Sequence, residues 1–224
     1  MSQSLPENRF PAVLFDLDGT LIDTLDDLAD SVNAALSQLG FATHELAHYK
    51  TAVGDGAEVM IYRSLPQDER SEEIVSRAFA LLIDEYSRRW NAKSRPYDGI
   101  PEMLDHLEKA DVEKCILSNK PDASTQKVVR HFLSRWNFRV IRGALPEQPI
   151  KPDPGSALEI AESVGIAPRE WLYVGDTDTD MQTAKAAGMF ALGVTWGFRE
   201  AEELEKNGAD LIIDRPDAII KLIS

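Results

Sequence analysis

The chain has few of the residues that disulfide-bonded, membrane-spanning or secreted proteins need. Its 224 residues include one cysteine, Cys115, which excludes a disulfide within the chain and favours a buried, unreactive thiol in a reducing compartment. No apolar run approaches the ~18 residues that a membrane-spanning helix requires. The first nine residues show neither the basic start nor the apolar segment of a secretory signal, so the sequence predicts a cytoplasmic protein.

Basic residues are also scarce. The chain holds 24 Lys and Arg against 38 Asp and Glu, which gives a formal net charge of −14 and a pI near 4.7. Nucleic acids and anionic membranes bind clustered Lys and Arg, so neither is expected as a partner. A small anionic ligand is still compatible with this charge, because a metal ion, a lysine or backbone N–H groups can reverse the local field. A monomer and a homodimer are both open.

One stretch near the N-terminus combines an apolar run with acids. Residues 13–15 are apolar, and they are followed by Asp16, Asp18, Gly19 and Thr20. This pattern indicates a buried strand that carries two carboxylates into a loop. Because the two acids are two residues apart, they would lie on one side of a strand and repel each other unless a cation or a proton intervened. The alternative is an ordinary strand followed by an acidic turn.

Beyond this stretch the chain changes pattern twice. Residues 23–92 show the spacing of amphipathic helices and no convincing strand. A polar segment, 91–99, carries a proline and a glycine and separates this block from the rest. From there on, helical patterns alternate with short apolar strands such as 113–117, and a last helix is expected at 216–222.

Alternating helices and strands joined by short loops are typical of parallel βαβ units. The first strand, 12–17, must then belong to the same sheet as the later strands. The sequence therefore predicts a doubly wound, mainly parallel α/β sheet. Its core domain is expected to comprise residues 9–22 and 93–224, with a small all-helical domain, residues 23–92, inserted after the first strand.

Polar residues follow the predicted strands at several further points. They are a hydroxyl, an amide, a lysine and two acids, namely Ser118, Asn119, Lys151, Asp176 and Asp180. In open α/β sheets, ligands bind beyond the carboxyl ends of the strands, where the strand order reverses. Carboxylates from two strands can share a Mg²⁺ ion, and a hydroxyl, a lysine and loop N–H groups can hold a phosphate. Together these groups suit phosphoryl transfer, which depends mainly on positioning and charge neutralisation.

Four segments resemble, in order, the four motifs of the haloacid dehalogenase-like hydrolase superfamily. They are Asp16-Leu17-Asp18-Gly19-Thr20, Ser118-Asn119, Lys151-Pro152-Asp153-Pro154 and Gly175-Asp176-Thr177-Asp178-Thr179-Asp180. The resemblance extends from about residue 10 to residue 222. It implies a Rossmann-like core with the helical block as the family's small cap, Mg²⁺ as the cofactor, and a small phosphorylated metabolite as the substrate.

The resemblance implies three catalytic roles. Asp16 would attack phosphorus and form an aspartyl-phosphate. Asp18 would act as the acid and base, and its backbone carbonyl would ligate Mg²⁺. Lys151 would hold Asp16 and the phosphate together, although a solvated surface lysine is the other interpretation. The acid at position 18 favours phosphate esters over carbon–halogen bonds.

The resemblance also implies binding roles. Ser118 and the backbone of Asn119 would bind the transferring phosphoryl group, with the hydroxyl of Thr20 at the same point, although Ser118 could also cap the next helix. Asp16, Asp18 and Asp176 would hold the metal ion. Asp180 would support it directly or through water.

A narrower resemblance concerns the substrate. The loop Val53-Gly54-Asp55-Gly56-Ala57, with Arg63 after it, is similar to the cap loop of phosphoglycolate phosphatases, and so are Ser118-Asn119-Lys120-Pro121 and residues 193–198. Those phosphatases more often have threonine in place of Ser118, a departure that keeps the hydroxyl. The resemblance implies 2-phosphoglycolate as the substrate, with Gly54 and Arg63 on its carboxylate. A simple turn between helices is the other interpretation of the glycines.

Other functions are open on the same sequence. A phosphosugar mutase of the β-phosphoglucomutase type shares the core motifs, although its cap pattern has no clear match here. A pyrophosphatase or a 5′-nucleotidase could use the same core. A non-catalytic protein that binds phosphorylated metabolites would have no need of both Asp16 and Asp18, which argues against it.

Overall fold

The computed structural model describes residues 10–223 without a gap. The predictions for the first nine residues, and for residues 9 and 224 as ends of the core domain, lie outside this range. The described chain forms two compact units, one of residues 10–22 with 96–223 and one of residues 23–95. Between residues 10 and 223, no helix has the length and apolar character needed to cross a membrane.

Strands and helices alternate along much of the described chain. The strands are β1 (Ala12–Phe15), β2 (Ile22–Asp23), β3 (Arg95–Pro96), β4 (Glu113–Pro121), β5 (Val140–Ala144), β6 (Trp171–Gly175), β7 (Phe190–Val194) and β8 (Leu211–Ile213). The α-helices are α1 (Leu25–Gln38), α2 (Leu46–Ala52), α3 (Ala57–Ser64), α4 (Glu72–Arg89), α5 (Ile100–Lys109), α6 (Asp122–Phe132), α7 (Gly155–Val164), α8 (Asp178–Ala187) and α9 (Ala201–Lys206). Short 3₁₀ helices occupy Gln67–Glu69, Pro168–Glu170 and Pro216–Leu222.

The first unit is built on a six-stranded sheet with the strand order β5–β4–β1–β6–β7–β8. Each neighbouring pair of strands is parallel. The chain builds one side of the sheet from β1 through β4 to β5, and then returns to build the other side from β6 to β8. The strand order therefore reverses between β1 and β6, which is where sheets of this kind bind ligands. The predicted doubly wound parallel sheet is confirmed.

Both faces of this sheet are covered. In β1, Ala12 and Leu14 belong to a core cluster on one face, whereas Val13 and Phe15 alternate to the other face and are equally buried. Helices α7, α8 and α9 supply Ala157, Ile160, Ala161, Met181, Ala184, Ala187 and Leu204 to the cluster. Burial on both faces explains the almost continuous apolar runs of these strands. Cys115 of β4 lies in the same cluster, and burial raises the pKa of its thiol to about 12.

The predicted ends of two strands are wrong. β1 ends at Phe15 instead of residue 17, because the Leu17 carbonyl accepts the N–H groups of Leu21 and Ile22 and so closes a tight loop. β4 continues past Leu117 to Pro121, so the polar residues 118–120 are buried within a strand. The helix predicted at 216–222 is present with those bounds, as a 3₁₀ helix.

The second unit contains helices α1 to α4. Ser71 caps α4 by accepting the N–H of Ile74. The buried Asp27 carboxylate of α1 accepts the backbone N–H groups of Lys93 and Ser94, which fixes α1 to the segment before β3. That segment was expected to be loop, but β3 pairs with β2 in a two-stranded sheet. Strands of two residues are too short to leave a periodic pattern in a sequence.

Candidate active site

Asp16 follows β1 directly and lies against a buried lysine. The Lys151 ammonium donates to Asp16 Oδ1 and to Asp180 Oδ1, both at 2.7 Å, and to the Leu117 carbonyl at 3.3 Å. An ammonium has three donors, so these partners use all of them. Lys151 is therefore fixed between two acids and is not a solvated surface lysine; its side chain is 3% exposed.

Asp176 follows β6, on the other side of the point where the strand order reverses. Its Oδ1 accepts the Thr20 hydroxyl at 2.7 Å, and its Oδ2 accepts the backbone N–H of Phe198 at 2.9 Å. Thr20, expected among the phosphate-binding groups, is fully buried and bound to this acid. The approach of the carboxylate depends on Gly19, whose φ is 91° and whose missing Cβ would lie 2.3 Å from Asp176 Oδ2.

Asp180 is held in the first turn of α8. Its Oδ2 accepts both the backbone N–H and the hydroxyl of Thr177, and its own N–H donates back to that hydroxyl, which forms a capping box. Its Oδ1 accepts Lys151 and, at 3.4 Å, the Tyr173 hydroxyl. Both oxygens of Asp180 thus have partners on this chain.

The cluster carries more negative than positive charge. Burial and the nearby Asp180 carboxylate raise the pKa of Asp176 to about 7. The same two causes raise the pKa of Asp16 well above its ordinary value, against the opposing effect of Lys151. Burial alone would lower the pKa of Lys151, but Asp16 and Asp180 outweigh it and the pKa is raised. When the acids are ionised, the net charge of the site is therefore negative, and a bound cation would offset it.

These acids fit a divalent cation. One carboxylate oxygen from each of Asp16, Asp176 and Asp180 lies within 4.8 Å of the other two, and all three residues are buried. Hard cations such as Mg²⁺ prefer carboxylate oxygens, and binding one would relieve the mutual repulsion that raises the pKa of these acids. The donor set is suited to such an ion.

Asp18 lies on the loop after β1 and is paired with a different lysine. The Lys120 ammonium lies 2.7 Å from Asp18 Oδ2, and the two side chains are 5% and 13% exposed. The other oxygen, Oδ1, is buried and has no hydrogen-bond partner among the described residues. Asp18 is thus held by one oxygen, and the other has unused hydrogen-bonding capacity.

Ser118 and Asn119 are neighbours in β4. The Asn119 side chain donates to the Lys151 carbonyl at 3.0 Å and accepts the Lys151 N–H at 2.9 Å, which fixes the loop that carries Lys151. The Ser118 hydroxyl accepts the N–H of Lys120 at 3.2 Å within the strand. It does not cap α6, whose N-terminus has no side-chain cap.

Gly54 and Arg63 belong to the second unit. Gly54 lies between α2 and α3 with a φ of 123°, a conformation that favours glycine. Arg63 is on α3, where its guanidinium forms an ion pair with Asp55 at 2.5 Å and donates to the Ala52 carbonyl at 3.4 Å. These contacts hold the arginine against the glycine-flanked loop.

Three residues near the acids had no predicted role. Lys120 holds Asp18, and its place after Ser118-Asn119 was the available signal. Tyr173 of β6 lies against Asp180, and burial raises the pKa of its hydroxyl well above the ordinary value, so it stays a neutral donor. Trp196 donates its Nε1–H to the Thr20 carbonyl at 3.0 Å and steadies the loop after β1. An aromatic residue in or after a strand gives no sequence signal of such a contact.

Comparison with known proteins agrees with this geometry. Residues 13–194 match the family model of haloacid dehalogenase-like hydrolases. A phosphoglycolate phosphatase of Pseudomonas putida is 33% identical over 225 residues, covering 96% of this chain and 82% of that protein. One of Mesorhizobium japonicum is 35% identical over 213 residues, covering 93% and 92%. The crystal structure of a predicted phosphoglycolate phosphatase from Haemophilus somnus shares 27% identity and has a TM-score of 0.88, covering 96% of this chain and 99% of its own.

Proposed function

The chain belongs to the haloacid dehalogenase-like hydrolase family and is a phosphatase, and we propose that it hydrolyses 2-phosphoglycolate with Mg²⁺ as its cofactor. The similar proteins of Pseudomonas putida and Mesorhizobium japonicum are both phosphoglycolate phosphatases. The observation that carries the proposal is the pair of carboxylates Asp16 and Asp18, each held by its own lysine at 2.7 Å. Two carboxylates held separately can divide nucleophilic attack and proton transfer between them.

In the first step, a carboxylate oxygen of Asp16 attacks phosphorus and the bond from phosphorus to the glycolate oxygen breaks. Asp18 delivers a proton to that leaving oxygen, so glycolate departs with a hydroxyl group. Lys151 favours the ionised form of Asp16 and occupies its Oδ1, which leaves the other oxygen to attack. The Ser118 hydroxyl and nearby N–H groups bind the phosphoryl oxygens as their charge develops.

In the second step, Asp18 takes a proton from a water molecule that attacks the phosphorus of the aspartyl-phosphate. The bond between phosphorus and Asp16 breaks, and inorganic phosphate leaves. Asp16 is then a carboxylate again, and Asp18 is protonated for the next substrate. One acid–base residue thus serves both proton transfers of the hydrolysis.

We propose that Asp16, Asp176 and the backbone carbonyl of Asp18 hold the Mg²⁺ ion. When bound, the ion neutralises phosphate charge and polarises the phosphoryl group towards attack. Asp180 supports the site through Lys151, because hydrogen bonds to both of its oxygens leave it few free lone pairs. Thr20 orients Asp176 by the hydrogen bond that it donates to Oδ1.

We propose that Gly54 and Arg63 contribute to binding the carboxylate end of the substrate. The ion pair with Asp55 restricts the guanidinium of Arg63, which is 40% exposed and can still offer N–H donors. A cytoplasmic location also belongs to the proposal, and the buried thiol of Cys115, whose pKa is raised to about 12, is compatible with it.

A phosphate-release assay with Mg²⁺ tests the substrate. The purified protein is offered 2-phosphoglycolate, pyrophosphate, 5′-nucleotides and sugar phosphates at several concentrations. The largest kcat/KM is expected for 2-phosphoglycolate. A larger value for pyrophosphate or a nucleotide would overturn the substrate, and interconversion of sugar phosphates without phosphate release would favour the mutase.

Asp16→Asn tests the mechanism. We expect phosphate release to fall by roughly 10³-fold or more while the far-UV circular dichroism stays that of the wild type. Asp178→Asn is the matched control, because Asp178 begins α8 between Asp176 and Asp180 and forms its ion pair with Arg199 at 3.8 Å. Retention of most activity by Asp16→Asn would exclude an aspartyl-phosphate at this residue.

A further inference from the structure

A second buried lysine lies beside the reacting groups, next to the acid–base residue. Lys120 lies in β4, its side chain is 5% exposed, and its ammonium is 2.7 Å from Asp18 Oδ2. We propose that Lys120 binds the carboxylate of the substrate and thereby sets a preference for short, acidic phosphate esters. This inference rests on the proposed function and adds a specificity-determining residue to it.

The first argument is distance. Asp18 must reach the ester oxygen of the substrate in order to protonate it. In a two-carbon phosphate with a carboxylate, three covalent bonds separate the ester oxygen from a carboxylate oxygen, which places them roughly 3 Å apart. A cation in direct contact with Asp18 is therefore within reach of that carboxylate. An ammonium can donate to more than one carboxylate, so its contact with Asp18 is compatible with a second contact to the substrate.

The second argument is the division of the two Asp18 oxygens. Oδ2 is bound by Lys120, whereas Oδ1 is buried and has no partner among residues 10–223. A buried polar atom without a partner costs free energy, and a proton that Asp18 carries on Oδ1 would find its acceptor in the ester oxygen of a bound substrate. The geometry thus suits a leaving oxygen on Oδ1 while Lys120 stays on Oδ2 and faces the same small ligand.

The third argument is charge. Asp18 carries its proton when the substrate binds, so three ionised acids, Asp16, Asp176 and Asp180, face two lysines, and a divalent cation would leave one positive charge in excess. A substrate carboxylate next to Asp18 adds a negative charge that a nearby cation can offset. Lys120 is in contact with Asp18, whereas Lys151 has all three donors engaged elsewhere. Lys120 is therefore the better placed of the two to offset that charge.

A lysine that only positioned Asp18 would affect every substrate in the same proportion, and this separates the two roles. The test uses three phosphates of similar size whose far ends differ in charge: 2-phosphoglycolate, ethyl phosphate and 2-aminoethyl phosphate. For Lys120→Met we expect the ratio of kcat/KM for 2-phosphoglycolate over ethyl phosphate to fall about 10- to 100-fold. The ratio for 2-aminoethyl phosphate over ethyl phosphate should rise, because a repelling charge is gone.

Three further variants serve as controls. Lys120→Arg keeps the charge and should keep most of the preference for 2-phosphoglycolate. Lys114→Met is the control, because Lys114 is a buried lysine of the same strand that pairs with Glu108 instead of an acid of the site. Its ratios should match the wild type. Ratios do not depend on the folded fraction of a preparation, and Lys120→Gln provides a second uncharged variant if Lys120→Met folds poorly.

The outcomes are distinct. Equal proportional losses on all three phosphates in Lys120→Met and Lys120→Gln would overturn the inference and leave the proposed function standing. A wild-type enzyme that does not prefer 2-phosphoglycolate over ethyl phosphate would overturn the proposed function, and the inference with it. A selective loss on 2-phosphoglycolate that Lys120→Arg largely restores would establish that Lys120 contributes to recognition of the carboxylate.

Discussion

Replacing Asp176 by asparagine should make the metal-free protein more stable. Burial and Asp180 raise the pKa of this carboxyl from 3.8 to about 7 in the folded protein. As pH rises from 3.8 to about 7, the unfolded chain has lost a proton that the folded protein still holds. The free energy of unfolding therefore falls through this window and stays low above it. Asparagine carries no charge, so the free energy of unfolding of Asp176→Asn does not fall in this way.

The size of the effect follows from the shift. Each pKa unit corresponds to about 1.36 kcal/mol, so a shift of roughly 3 units destabilises the fold by on the order of 4 kcal/mol at pH 8. Asparagine fits the same space, because its Oδ1 can accept the Phe198 N–H and its Nδ2 can donate to the Thr20 hydroxyl. For a chain of this length, 4 kcal/mol corresponds to a rise in Tm of about 8–16 °C. At pH 5 only about a third of this difference should remain.

The assay is thermal unfolding at pH 5 and pH 8, with a chelator and then with excess Mg²⁺. Mg²⁺ should stabilise the wild type, whereas Asp176→Asn should gain little because it lacks a ligand. Asp178→Asn is the control and should shift stability by less than about 1 kcal/mol. A Tm of Asp176→Asn below the wild-type value in chelator at pH 8, or a difference that does not change with pH, would refute the reasoning.

Three further substitutions follow from the structure. Lys151→Met leaves Asp16 and Asp180 without their shared cation, so we expect roughly 10³-fold slower phosphate release and about 3–5 kcal/mol lower stability; near-normal kcat would contradict the assigned role. Gly19→Ala places a Cβ 2.3 Å from Asp176 Oδ2 and should raise the Mg²⁺ concentration needed for half-maximal rate, whereas Gly165→Ala, also at positive φ but with no atom within 4 Å, should not. Arg63→Ala should raise KM for 2-phosphoglycolate more than for p-nitrophenyl phosphate, and equal effects on both would place Arg63 outside the substrate site.

The parallel sheet and the placing of the acids after its strands were predictable because they depend on local patterns and on topology. A strand buried on both faces needs an unbroken apolar run, as in β6. Acidic residues are therefore expected only after the end of such a run. Asp16 and Lys151 are 135 residues apart, yet they meet at 2.7 Å. The rule that parallel sheets bind ligands beyond the carboxyl ends of their strands was enough to expect that meeting.

The partners of individual polar side chains were not predictable. Polar residues after an apolar run normally mark a loop, which is why the end of β4 was placed at residue 117. In the folded protein, Asn119 is satisfied by the Lys151 backbone and Lys120 by Asp18, so the strand continues. Those contacts depend on the distances between neighbouring strands and loops in the folded protein. The order of residues along the sequence does not give these distances.

The buried thiol of Cys115 has a practical consequence for studying motion. With its pKa raised to about 12 and no exposed surface, this cysteine will not compete for thiol-reactive probes in the folded protein. Cysteines placed at exposed serines would then be labelled without competition from Cys115. Ser87 on α4 and Ser163 on α7 are such positions, one in each unit. A fluorophore pair at these two points would report the distance between the units, with and without substrate, in an otherwise natural chain.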